Sequence, residues 1–89
     1  MTQAHLQLQN RLGLHARAAS KLVQTASRFE SKIELGYGGK TVNAKSIMGV
    51  LLLGAPCGAE LTLRLDGSDA EAAFAALQDL VANRFGEGE

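Results

Sequence analysis

The spacing of apolar residues along this chain changes repeatedly between a period of two and a period near 3.6. Alternate residues are apolar, as in strands with one buried face, in three stretches: residues 3–9, 32–43 and 61–65. Helical spacing is found in three others: Ala16 to about Arg28, Ile47–Leu53 and residues 69–86. With Gly38 and Gly39 turning the middle stretch into a hairpin, the order predicts an α+β fold. Helices should cover one face of a four-stranded antiparallel sheet, in the order βαββαβα.

Residues at the ends of the last two helical stretches support this division. Ser46 is a favourable N-cap, while Gly54 followed by Pro56 should end the short helix. Ser68, with Glu71 three residues later, has the pattern of a capping box at the start of the last helix. The sequence therefore predicts three separate helices.

The length of 89 residues is enough for one domain with a modest core. No internal repeat or linker interrupts the chain, so we expect a single domain over residues 1–89. The last residues, 86–89, read Gly-Glu-Gly-Glu and are expected to form a flexible tail. We also expect a monomer.

Several features of the composition point to the cytoplasm. Cys57 is the only cysteine, which excludes an internal disulfide and suits a reducing compartment. The first residues lack the basic and apolar regions of a secretory signal. The longest uncharged, mainly apolar run, residues 47–59, is interrupted by glycine and proline and is shorter than the roughly 20 residues of a membrane span. No membrane insertion is expected.

Charge is distributed unevenly although the formal net charge is zero. The first 45 residues have seven basic and two acidic side chains, a formal +5, and the remainder has the opposite −5. This pattern favours either a positive face that attracts acidic partners or an ordinary mixed surface, and the sequence leaves both open. Zero net charge and an aromatic content of 4% argue against a nucleic-acid partner.

His15 lies where the coil before the first helix ends, and Arg17 follows two residues later. The first amides of a helix lack intrahelical partners, and the helix dipole adds about half a positive charge there, so anions bind readily. An imidazole is a poor cap, but a phosphate on the imidazole would supply the missing oxygens. Gly13, which permits a tight turn, strengthens a motif that would be weak alone. We therefore predict that His15 accepts a phosphoryl group and that Arg17 stabilises it.

The segment after Ser46 has more apolar residues than one short helix can bury. We expect Ile47, Met48 and Leu51 to form an exposed docking patch, with Met48 as an adaptable contact. Ser46 is either a simple cap or a modification site. A phosphate on Ser46 would add charge of about −1.5 to −2 to this apolar surface and oppose docking.

Three other motifs do not support a function. Gly39-Lys40-Thr41 resembles the end of a nucleotide-binding loop, but the required earlier glycine is replaced by Glu34 and a strand follows where a helix is needed. The Gly36-x-x-Gly39 spacing occurs here in a hairpin, not between two helices as in RNA-clamping loops. The two histidines and the cysteine match no compact metal-ligand pattern, so no metal and no cofactor are expected.

Two segments, Gly13-Leu14-His15-Ala16-Arg17 and the run from Asn43 to Val50, resemble the signature segments of the histidine-containing phosphocarrier family, HPr. The similarity extends over nearly the whole chain. It implies an open-faced β-sandwich that accepts phosphate on Nδ1 of His15 from phosphorylated enzyme I and passes it to IIA components of the phosphotransferase system. Phosphoenolpyruvate would be the ultimate donor. The protein would be a carrier and not an enzyme.

The resemblance also implies regulation and partner contacts. Ser46 would be the target of an ATP-dependent HPr kinase/phosphorylase, and Ser20 and Lys21 would contact partners together with the docking patch. Ala18 departs from the family, which usually has proline there; alanine maintains the helix, so we expect little loss of chemistry. An alternative function is a regulatory binding module that acts mainly through Ser46, Ile47 and Met48.

Overall fold

The computed structural model describes residues 2–86 and has four strands and three helices in the predicted order. The strands are β1 (Thr2–Gln7), β2 (Lys32–Tyr37), β3 (Lys40–Asn43) and β4 (Glu60–Asp66). The helices are α1 (Ala16–Ala26), α2 (Ile47–Leu53) and α3 (Ala70–Ala82), followed by a 3-10 turn at Arg84–Gly86. The first strand is shorter than predicted, since it ends at Gln7, and α1 ends two residues before the predicted Arg28.

The four strands form one antiparallel sheet in the order β1-β4-β2-β3. Alternation in β4 places Leu61, Leu63 and Leu65 on the buried face, all fully inaccessible to solvent. In the register, Leu35 of β2 lies opposite Leu63, and Ile33 lies opposite Leu65. Helices α2 and α3 contact the sheet, and α1 packs against both helices and contributes side chains to the same core. The opposite face of the sheet is polar, so the open-faced sandwich is confirmed.

Helix α2 begins and ends where the sequence indicates. The Ser46 side chain accepts a hydrogen bond from the Gly49 amide at 3.2 Å, and Gly54 closes the helix in the left-handed conformation. Val50 and Leu53, three residues apart, are buried against the core. A helix of only seven residues can bury one narrow stripe, so its other apolar side chains remain near the surface.

The predicted capping box at Ser68 is wrong. Asp69 occupies the N-cap of α3 and makes no side-chain bond to the helix. Its carboxylate instead accepts hydrogen bonds from the amides of Glu30 and Ser31, at 2.9 and 3.0 Å, and from the Ser31 hydroxyl. The Ser31 hydroxyl, followed by the Glu30 amide, holds the pKa of Asp69 below its usual value of 3.8. The side chain therefore joins the loop before β2 to the loop after β4.

The last helix also ends earlier than predicted, at Ala82 and not at Gly86. Arg84 and Phe85 adopt positive φ angles of 52° and 55°, and the resulting turn buries the Phe85 ring almost completely. Phe85, the last residue of the predicted apolar stripe, therefore reaches the core through a left-handed turn and not through continued helix. Gly86 belongs to the 3-10 turn, and the remainder of the predicted tail, residues 87–89, lies outside the described residues.

Candidate functional site

His15 is the N-cap of α1, with extended backbone angles of φ −78° and ψ 179°. Its side chain is half-buried and makes no capping hydrogen bond to the helix. The first turn of α1 contains no acidic residue. Because the first helical amides have no partners within a helix and the dipole is positive at this end, the imidazole lies at a position that favours a bound anion.

The loop before His15 is fixed from two sides. The buried Asn10 side chain donates to the Gly13 carbonyl at 2.7 Å, and the Gly13 amide donates back to the Asn10 carbonyl at 3.2 Å. On the other side, the Leu14 amide donates to the Ala55 carbonyl at 2.9 Å, just beyond the end of α2. Gly13 has φ +63°, and a Cβ there would lie only 2.4 Å from the same Ala55 oxygen. The requirement for glycine therefore comes from both backbone conformation and close packing.

Arg17 is exposed at the second residue of α1 and follows His15 by two positions. The other two predicted contact residues on this helix are half-buried and have internal partners. Ser20 accepts a long hydrogen bond of 3.5 Å from Gln24, whereas Lys21 donates to the Phe85 carbonyl at 2.6 Å. Lys21 thus fastens the C-terminal turn to α1, a contact that sequence spacing does not reveal.

Ser46 is half-buried at the opposite end of α2 from Ala55. A seven-residue helix is about 10 Å long, so Ser46 lies about one helix length along α2 from the end that contacts the His15 loop. Beside Ser46, the Lys45 ammonium donates to the Phe29 carbonyl at 2.7 Å, beyond the end of α1. Ser46 and His15 therefore lie near opposite ends of the α1 and α2 layer.

The predicted docking patch is exposed at two of its three positions. Ile47 is 39% exposed and Met48 64%, whereas Leu51 is partly buried against the core. Two further leucines that were not predicted, Leu12 and Leu52, are 64% and 67% exposed. Leu52 could have been found from its position off the buried stripe of α2. Leu12 lies two residues before Leu14, and Leu52 lies three residues before Ala55. Because Leu14 and Ala55 are hydrogen-bonded to each other beside His15, both leucines lie near the histidine.

The structure divides the basic residues of the first half among several surfaces. Lys21 and Lys45 donate to backbone carbonyls, and Lys32 lies opposite Asp66 in the sheet register. Arg11 and Arg17 remain the basic residues nearest to His15 in sequence. This arrangement favours a mixed surface with local positive charge at the helix end over one continuous positive face.

Among residues 2–86, no three or more histidine, cysteine or acidic side chains are grouped closely enough to hold a metal ion. Within the same part of the chain, no helix has the length and apolarity needed to cross a membrane.

Comparisons with known proteins show the family and the fold. A sequence model of the HPr family, described as the PTS HPr component phosphorylation site, matches residues 2–83. The phosphocarrier protein HPr of Cupriavidus necator is 51% identical over 89 residues, covering all of both chains. The crystal structure of HPr-C-His from Thermoanaerobacter tengcongensis is also similar, with a TM-score of 0.93 and 46% identity over 98% of each chain.

A crystal structure described as an HPr dimer, from the same Thermoanaerobacter species, is also similar, with a TM-score of 0.78 and 46% identity over 98% of this chain and 100% of that one. A monomeric state of the present chain therefore stays a prediction. The match over most of the chain, together with His15 at the start of α1, establishes the relationship. The chain belongs to the HPr family, the phosphocarrier proteins of the phosphotransferase system.

Proposed function

We propose that this protein accepts a phosphoryl group on Nδ1 of His15 from phosphorylated enzyme I and transfers it to IIA components. The observation that supports this most directly is the half-buried His15 at the N-cap of α1, without a capping bond from its own side chain. A phosphate attached to the ring can accept hydrogen bonds from helix amides that an imidazole satisfies poorly. The site therefore suits a phosphohistidine better than a structural histidine.

In the transfer, a bond forms between phosphorus and the His15 nitrogen while the bond between phosphorus and enzyme I breaks, its electron pair leaving with enzyme I. Each charge-assisted hydrogen bond from an amide or from Arg17 to the phosphate contributes about 1.5 to 3 kcal/mol. A carrier must also release the group, so few fixed contacts are preferable to many. The single exposed arginine two residues from His15 is consistent with such weak retention.

Partner docking is assigned in this proposal to the exposed side chains of Ile47 and Met48, with Leu51 at the edge of the core. Ser20 and Lys21 would contribute from α1. The protein would act in the cytoplasm as a carrier without enzymatic activity of its own. Phosphorylation of Ser46 by an HPr kinase/phosphorylase would place negative charge beside the apolar patch and reduce docking.

The test is incubation with enzyme I and phosphoenolpyruvate, followed by measurement of protein-bound phosphate. We expect a phosphate that is labile in acid and stable in base, and that is absent from His15→Ala. The matched control is His5→Ala, because His5 is the other histidine and its side chain is 55% exposed on the sheet beside Glu60. Equal phosphorylation of both variants would contradict the proposal.

The second candidate is a regulatory binding module acting through Ser46. Its supporting observation is that the Ser46 cap stands directly before two exposed apolar residues, Ile47 and Met48. In this case His15→Ala would retain the cellular function and Ser46→Asp would abolish it. In the carrier function His15→Ala would abolish phosphoryl transfer, whereas Ser46→Asp would weaken docking under both candidates, so His15→Ala is the variant that separates them.

A further inference from the structure

Asn10 is buried and lies close to the proposed phosphorylation site. The side chain has no exposure to solvent, which is rare for an uncharged amide unless its polar atoms are hydrogen-bonded. Its amide nitrogen donates to the Gly13 carbonyl at 2.7 Å, across a turn of four residues. The contact is short and buried, so losing it would leave a polar group inside the protein.

The carbonyl that Asn10 contacts is also a partner of His15. The His15 backbone amide donates to the Gly13 oxygen at 3.0 Å, so one oxygen accepts from both the Asn10 side chain and the His15 main chain. This shared oxygen connects the buried amide to the N-cap residue through two hydrogen bonds. The orientation of that peptide group therefore helps to set where the His15 backbone enters α1.

We propose that Asn10 is a positioning residue for phosphoryl transfer through His15, an inference that rests on the proposed carrier function. Asn10 acts by holding the Gly13 carbonyl in the orientation that the His15 amide requires. Its proposed effect on transfer is indirect and involves no contact with the phosphate or with a partner. A displacement of about 1 Å at a reacting group can lower a rate by about 100-fold, so a loosened turn has a kinetic consequence.

Two substitutions separate the hydrogen bond from the packing of the side chain. Asn10→Ala removes both, whereas Asn10→Asp has nearly the same shape but, when ionised, has no donor for the Gly13 oxygen. Ser31→Ala is the matched control, because Ser31 is also a buried polar residue, with 2% exposure. Its hydroxyl donates a hydrogen bond to Asp69, which is remote from the Asn10–Gly13 turn. All three variants are studied as the full chain, with the folded fraction measured by circular dichroism.

The experiment measures the steady-state kinetics of phosphorylation by enzyme I with phosphoenolpyruvate. Both Asn10 variants should lower kcat roughly tenfold or more, with KM for the carrier within about twofold of wild type, since the docking surface is unchanged. Hydrogen exchange of the His15 amide should be faster in both variants. Ser31→Ala should retain the wild-type kcat and the wild-type exchange rate at His15.

Several results would overturn the positioning role. A folded Asn10→Asp variant with wild-type kcat would do so. The role would also be overturned if Ser31→Ala, for a similar loss of thermal stability, lowered kcat as much as the Asn10 variants do. Failure of the wild-type protein itself to accept phosphate on His15 would refute the carrier function and this inference together. The wild-type reaction therefore distinguishes the two failures.

Discussion

Replacing Gly13 with alanine tests whether the His15 loop is fixed by close packing against the end of α2. Gly13 has φ +63°, and an alanine Cβ would lie 2.4 Å from the Ala55 oxygen and 2.8 Å from the Pro56 backbone. Ordinary contacts begin near 3.4 Å, so the two backbones must separate by about 1 Å. The same oxygen accepts the Leu14 amide, and that hydrogen bond must lengthen when the loop moves.

The matched control is Gly38→Ala. Gly38 has nearly the same backbone angle, φ +59°, but a Cβ there would have no atom within 4 Å. An alanine in the left-handed region costs about 1 to 2 kcal/mol, and this cost is common to both variants. Overpacking adds about 1 to 3 kcal/mol at Gly13 only. The difference in the free energy of unfolding between the variants therefore isolates the contact with Ala55 and Pro56.

Urea unfolding followed by circular dichroism measures this difference, and enzyme I with phosphoenolpyruvate measures the function. Gly13→Ala should be less stable than Gly38→Ala by about 1 to 3 kcal/mol and should accept phosphate more slowly by about 100-fold, since His15 moves with the loop. Gly38→Ala should have the wild-type rate. Equal stability losses in the two variants, together with a normal rate for Gly13→Ala, would refute the proposed packing constraint.

Three further predictions concern stability. The pKa of Asp69 is lower in the folded protein than in the unfolded chain, so ionised Asp69 stabilises the fold. This contribution to the free energy of unfolding should be complete above pH 3.8 and should be lost as the pH falls through the folded pKa. Asp69→Asn should therefore flatten this part of the pH dependence. Ser46→Ala should reduce the unfolding free energy by about 1 kcal/mol and Ser46→Asp by less, as urea titrations would show. Phe85→Ala should cost about 3 to 5 kcal/mol in the same assay, and an unchanged midpoint would contradict the burial of the ring.

The sheet could be predicted because its signals are local. Alternation in β4 places three leucines on one face, and the glycine pair before Lys40 determines the hairpin turn. The ends of α2 were also correct, since Ser46 caps through its own hydroxyl and Gly54 adopts the left-handed conformation. In these cases the residues that specify the structure are close together in the sequence.

The wrong predictions concern the two ends of α3, where the structure depends on contacts with residues distant in the sequence. The carboxylate of Asp69 bonds to a loop 38 residues earlier, and this contact displaces the capping box expected at Ser68. The early end of α3 depends on burial of Phe85 and on its carbonyl bond to Lys21, 64 residues away. Neither contact leaves a pattern in a short window of sequence, so helix spacing alone gave the wrong boundary.

The candidate site was predictable in part. His15 and Arg17 are at the helix start that the sequence indicated, and their functional roles stay predictions. Asn10 was missed because asparagine is common in exposed turns, and only the structure shows it buried. Leu12 was missed because a single leucine in a loop has no periodicity.

The attachment of the His15 loop to Ala55 has an evolutionary consequence. The loop is held by a main-chain bond at the exit of α2 and not by the solvent-facing side chains of that helix. Replacement of those side chains can therefore change the exposed surface of α2 without disturbing the pose of the histidine. Under the proposed carrier function, duplicated copies of such a gene can diverge in the recipients that they select through a few changes on this surface, while the chemistry at His15 stays the same.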